Sequence, residues 1–144
     1  MAVLVILFGS LLLYRALGTV GVSLFASWIV SARFALTTMF VFTAVSHFVP
    51  MRKDLIAMVP PSFPRPDILV FLTGVMEVAG AAGLLIESTR FWAVCGLILL
   101  MLAMLPANVS AARRGIELRG RRATPLWIRV PMQILFIVWA WYVR

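Results

Sequence analysis

Five polar side chains interrupt long apolar runs in this chain: His47, Glu77, Asn108, Arg129 and Gln133. Glu77 sits in "TGVMEVAGAAGLL", with Gly74 and Gly80 three residues to either side and Ala81 four residues on. Small residues on one helix face let a neighbouring helix approach closely, so the carboxylate is expected to point at that neighbour. A carboxylate held there can handle a proton or anchor a ligand, and it can equally be a hydrogen-bonding or ion-pair hub that fixes packing. His47, the only histidine, closes the run "FVFTAVSHFVP". Histidine titrates near neutrality and can act as a pH switch. At a helix C-terminus it also caps end carbonyls and favours the dipole, and the cap is the reading adopted here.

The remaining polar groups have similar double readings. Asn108 follows Pro106, whose missing N–H frees the carbonyl of Leu102, so its amide is expected to repair that gap or to line a site with Glu77. Arg129 and Gln133 are one turn apart on one face and could oppose Glu77 or bind an anionic headgroup. Arg129 could also be a plain snorkelling anchor. Arg33 and Arg15 lie toward the other ends of their runs. Cys95 stands alone, which excludes an internal disulfide and thiol–disulfide exchange within the chain. Nothing has metal-ligand spacing, so no metal is expected.

What positions these groups follows from composition. Of 144 residues 63% are hydrophobic and 12% charged, and mean hydropathy is +1.06. Water-soluble domains carry about 25% charged residues, so this chain is expected to face lipid. Thirteen Lys and Arg against five Asp and Glu would otherwise suggest nucleic acid. In a membrane protein, basic loops that meet headgroups account for the excess, and no nucleic-acid partner is expected.

The expected fold is all-α: a polytopic membrane protein with a four-helix core and an extra short N-terminal helix. The four apolar segments are 27–49, 67–86, 91–112 and 126–143. Each is near the roughly 20 residues needed to cross about 30 Å of hydrocarbon. Helices are required because backbone groups in lipid must be satisfied internally, and no period-2 pattern suggests a barrel. Residues 1–17 lack basic residues ahead of the apolar run and a convincing cleavage site, so they read as a short helix that crosses.

Basic residues orient the segments. Arg52, Lys53 and Arg65 fall in one loop, and Arg113, Arg114, Arg119, Arg121 and Arg122 in another. Both loops are expected to be cytoplasmic, leaving Arg90 and Arg144 outside. Trp28, Trp92, Trp139, Trp141 and Tyr142 then gather near the outer interface. Depth counting at 1.5 Å per residue puts Glu77 roughly 15 Å in and His47 about 10 Å or more away from it. That separation forbids a direct hydrogen bond, which needs about 3 Å.

Several stretches together resemble the DoxX family of small bacterial membrane proteins. They are "RFALTTMFVFTAVSHF", "GVMEVAGAAGLL" after a proline-rich loop, "LPANVSAAR" and "RVPMQILFIVWAW", over residues 31–143. The resemblance implies a four-helix core in the bacterial cytoplasmic (inner) membrane. It also implies the association of some relatives with quinone-linked sulfur oxidation or oxidative-stress complexes. It highlights Arg33, His47, Glu77, Pro106, Asn108, Arg129 and Gln133 but carries over no catalytic residue.

The functional expectation is a non-catalytic membrane subunit or a small-ligand module, with quinone or lipid as the ligand. Its partners would be the bilayer, a membrane or redox protein, and a second copy of the chain. A membrane enzyme using Glu77 as general acid/base is the alternative, although spacing supplies no acid/base pair. A proton-coupled transporter is a further one, weakened by the lack of inverted repeats within one chain.

Overall fold

A computed structural model describes residues 2–118 and 120–144, excepting the side chains of Leu118, Arg121 and Arg122. Three arginines of the second basic loop (Arg119 entirely, Arg121 and Arg122 by side chain) thus lie outside the described residues. The chain is helical nearly throughout: α1 (Ala2–Thr19), α2 (Trp28–Ser46), α3 (Arg52–Met58), α4 (Pro66–Leu85), α5 (Arg90–Ala103), α6 (Leu105–Arg114) and α7 (Leu126–Tyr142). A short 3-10 turn, Ser23–Phe25, follows α1. Between α6 and α7, β1 (Glu117–Leu118) and β2 (Arg121–Arg122) form a two-residue antiparallel ladder.

Four helical stretches are long and apolar enough to cross a membrane: α1, α2, α4, and α5 with α6 taken together. At 17 residues α7 is shorter. The N-terminal helix expected to be the short one is thus 18 residues long, and the last segment is the short one. Large apolar side chains cover the outside of the chain as well as its interior. Leu12, Phe42, Leu99 and Ile134 are all exposed, a surface that lipid tolerates and water does not.

Prolines set the helix ends. Pro66 opens α4 at its first position, where its missing N–H costs nothing, and Asp67 meets the positive end of the dipole. Pro106 cannot donate to the carbonyl of Leu102, and the segment expected as one helix over 91–112 breaks at Met104. Between Pro50 and the proline-rich stretch ahead of α4 lies α3, a short helix outside the segments read from sequence.

The packing centres on α2, which lies against α1, α4 and α7. Ala32, Ala35, Leu36, Met39 and Phe40 are buried there with Leu7 of α1, Leu84 of α4, Leu97 of α5 and Ala140 of α7. Gly18 lets the chain turn back between α1 and α2, because a Cβ there would stand 2.2 Å from the carbonyl oxygen of Phe25.

Arginines satisfy the carbonyls that helix ends leave free. Arg15 donates to Phe25 and Ala26 at 2.8 and 2.6 Å, and Arg90 to Leu84 at 3.2 Å. The Nη2 of Arg114 donates to the carbonyls of Ala57, Met58 and Val59 at 2.6, 3.0 and 2.9 Å. That last set ties the end of α6 to the end of α3 and brings the two basic loops to the same end of the molecule.

Candidate functional site

The site is built where the C-terminal end of α2 meets the first half of α4. Helix α2 stops at Ser46, short of Pro50, so His47 follows it directly as its C-cap. His47 lies against Gly74, where a Cβ would stand 2.6 Å from the Cβ of His47 and 3.0 Å from the ring of Phe48. Only glycine permits this approach without moving the histidine.

The close approach lets His47 reach across to α4. Its Nδ1 lies 2.8 Å from the carbonyl oxygen of Val70 and 3.2 Å from Oγ1 of Thr73. A carbonyl only accepts, so Nδ1–H is the donor, and the hydroxyl of Thr73 also donates to Val70, at 3.0 Å. This leaves Nε2 as the ring's second polar atom, and it faces Oε2 of Glu77 at 3.7 Å. The two side chains are 8% and 4% exposed, and Oε2 has no hydrogen-bond partner.

One expectation fails at this point and another is extended. His47 and Glu77 are neighbours rather than about 10 Å apart. Counting along each helix missed that α2 ends about a turn deeper than α4 begins. It also missed that helical side chains lean toward their own N-terminus, which brings the Glu77 carboxylate back toward Thr73. His47 is the C-cap of α2, as expected, but its ring also reaches beyond that helix to the carbonyl of Val70 on α4.

Two hydroxyls complete the surroundings. The hydroxyl oxygen of Thr43 on α2 lies close to Glu77, while its proton is donated to the carbonyl of Phe40 at 3.0 Å. Neither Thr43 nor Thr73 was singled out from sequence, though Thr43 stands four residues before His47 and Thr73 four before Glu77, about one helical turn in each case. Among the described residues, Arg129 of α7 is the cation whose charge reaches Glu77. No ion pair within 4.0 Å joins them among the described residues.

The other expected residues are placed apart from this pair. Gln133 donates through Nε2 to the carbonyl of Met101 at 3.0 Å, at the break between α5 and α6. Gln133 rather than Asn108 therefore stitches the region that Pro106 disrupts, and the carbonyl it meets belongs to Met101. Asn108 is buried on α6, and no hydrogen bond connects it to Glu77 among the described residues. Arg33 is at the opposite end of α2, where Nε donates to the carbonyl of Val143 at 3.1 Å. Fourteen residues of helix, about 21 Å, separate it from His47.

Chemically, the pair offers two adjacent proton-binding atoms, one on an imidazole and one on a carboxyl group. A gap of 3.7 Å is wider than a hydrogen bond. An oxygen placed beside both atoms could bond to each. Among the described residues no group of three or more His, Cys, Asp and Glu could hold a metal ion.

No curated protein and no solved structure matches the chain. A family model described as a domain of unknown function, DUF8561, matches residues 36–144. That stretch contains Thr43, His47, Thr73, Glu77 and Arg129 and leaves out α1 and Arg33. Because the match spans well over half of its length, the chain belongs to the DUF8561 family.

Proposed function

We propose that this chain is a multi-pass protein of the bacterial inner membrane that serves as a small-ligand module or non-catalytic membrane subunit. Its ligand is a small apolar molecule with an oxygen head, a quinone or a lipid, held at His47 and Glu77. The observation that carries this reading is the Oε2 of Glu77, buried and without a hydrogen-bond partner 3.7 Å from His47 Nε2. A buried polar atom left unpaired costs about 1–3 kcal/mol, and a ligand oxygen would recover that cost. The DoxX-like order of motifs supports a place beside a redox partner in the membrane.

The test is mass spectrometry of small molecules retained by full-length protein extracted in a mild detergent. Wild type is expected to carry a quinone or lipid that Glu77→Gln and His47→Leu both lose. A wild-type protein free of any such molecule, or equal retention in all three proteins, would overturn the ligand reading.

One observation favours a second reading. An acid/base enzyme needs two titratable groups within reach of one substrate, and His47 beside Glu77 is the pair that spacing alone did not reveal. Under that reading Glu77 is the general acid/base and His47 assists it. Turnover of an added apolar substrate, abolished by Glu77→Gln, would separate it from simple binding.

A further inference from the structure

Away from the buried pair, one face of α6 carries features that the proposed function does not use. Leu105, Pro106, Val109, Ser110 and Arg113 recur at helical spacing along one side of α6. With Pro60 from the loop after α3 they line a wide-open surface groove of about 390 Å³. Eight residues separate Leu105 from Arg113, so the groove runs about 12 Å along the helix. One end is apolar, and the other ends in an exposed guanidinium beside a hydroxyl.

We propose that this groove holds one anionic phospholipid, its phosphate on Arg113 and Ser110 and an acyl chain along Val109, Pro106 and Leu105. The neighbouring Arg114 is already engaged, donating to Ser110 Oγ at 2.8 Å and to the three carbonyls at the end of α3. Those bonds fix Pro60 against α6 and so set the groove's walls. Arg113 is left for a ligand: it has no hydrogen bond or ion pair among the described residues. The Ser110 oxygen accepts from Arg114, which leaves its own O–H to donate to a phosphate oxygen.

No carboxylate lines the groove, and a guanidinium pairs with phosphate through parallel hydrogen bonds. The groove also runs along the helix, with its charged end at the basic end of the molecule, as a lipid in the adjoining leaflet would lie. The proposal rests on the reading that these helices cross a membrane. It is independent of what binds at Glu77.

The experiment is native mass spectrometry of the full chain in a neutral detergent. Phosphatidylglycerol and phosphatidylcholine with identical acyl chains are added separately. Wild type is expected to retain one phosphatidylglycerol per chain and to release phosphatidylcholine more readily. Arg113→Gln should lower phosphatidylglycerol retention about tenfold, equivalent to one charge-assisted contact. Val109→Trp, with Leu105→Trp as a second groove-filling variant, should abolish retention of both lipids while helix content by circular dichroism is unchanged.

Inorganic phosphate alone should not compete, since it lacks the acyl chain. Equal retention by wild type and Arg113→Gln, no effect of either groove-filling variant, or displacement by inorganic phosphate would overturn the proposal. Carbonate extraction of cell membranes keeps the two readings distinct. Protein released to the supernatant would sink the membrane reading. Protein in the pellet with no dependence on Arg113 would sink the groove alone.

Discussion

The Nε2 of His47 stands 3.7 Å from Oε2 of Glu77, joining the end of α2 to the middle of α4 through two groups that can each bind a proton. The carbonyl of Val70 holds the other ring nitrogen and so decides which face of the imidazole meets the carboxyl group. Gly74 makes the approach possible.

That glycine gives a contrast within one helical protein. Gly74→Ala puts a methyl group 2.6 Å from the His47 Cβ, whereas Gly96→Ala meets nothing within 4 Å. In thermal unfolding of the detergent-solubilised protein, Gly96→Ala is expected to be neutral or to stabilise by up to about 1 kcal/mol, as alanine does in helices. Gly74→Ala is expected to destabilise by about 1–3 kcal/mol, as overpacking does. Equal midpoints for the two variants would contradict the packing described.

Arg114 offers a second test. Its guanidinium satisfies three carbonyls at the end of α3, so Arg114→Ala leaves them without that donor. The expected loss is about 1–3 kcal/mol in the same unfolding measurement. Arg113→Ala, one residue away and without such bonds among the described residues, should cost less than about 0.5 kcal/mol. A larger loss for Arg113→Ala would reverse the assignment.

Much of the fold could be read along the chain because its signals are local. Apolar length marked the long helices, and a proline marked where α4 starts; the short α3 and the break between α5 and α6 were not read, although Pro106 stands beside that break. The site was legible only in its members. His47 and Glu77 could be picked out as polar groups in apolar runs. Their adjacency depends on how far α2 slides past α4, which is set by contacts between residues far apart in sequence. Thr43 and Thr73 passed unnoticed because a threonine in an apolar helix usually bonds its own preceding turn, as both also do. Arg33 looked like a site residue by type, and only the three-dimensional fold reveals its partner at Val143.

Membrane orientation is open to a direct measurement. In a Cys95→Ala background, single cysteines at positions 52 and 113 are expected to resist an impermeant thiol reagent in intact cells. One at position 88, in the turn between α4 and α5, should react. Labelling at 52 or 113 would overturn the cytoplasmic assignment of the basic loops.

Coupling between His47 and Glu77 can be weighed by a double-mutant cycle of His47→Leu and Glu77→Leu. Groups in contact couple by roughly 0.5–3 kcal/mol, and polar pairs in membrane proteins average about 0.6 kcal/mol. The two single variants should together cost more than the double variant, because each strands the partner that remains. Strict additivity would mean that the pair does not interact.

The last prediction separates the two nitrogens of His47. An asparagine amide nitrogen occupies about the position of Nδ1, whereas that of glutamine reaches about as far as Nε2. His47→Asn should therefore keep the bond to the Val70 carbonyl and lose the approach to Glu77. His47→Gln should do the reverse. If the bond to Val70 is what holds α2 on α4, His47→Asn unfolds within about 0.5 kcal/mol of wild type and His47→Gln falls about 1–2 kcal/mol below it. If Glu77 needs His47 for ligand retention, the ranking inverts in that assay: His47→Gln keeps some ligand and His47→Asn keeps none. Identical behaviour of the two variants in both measurements would show that neither nitrogen has the separate role assigned to it.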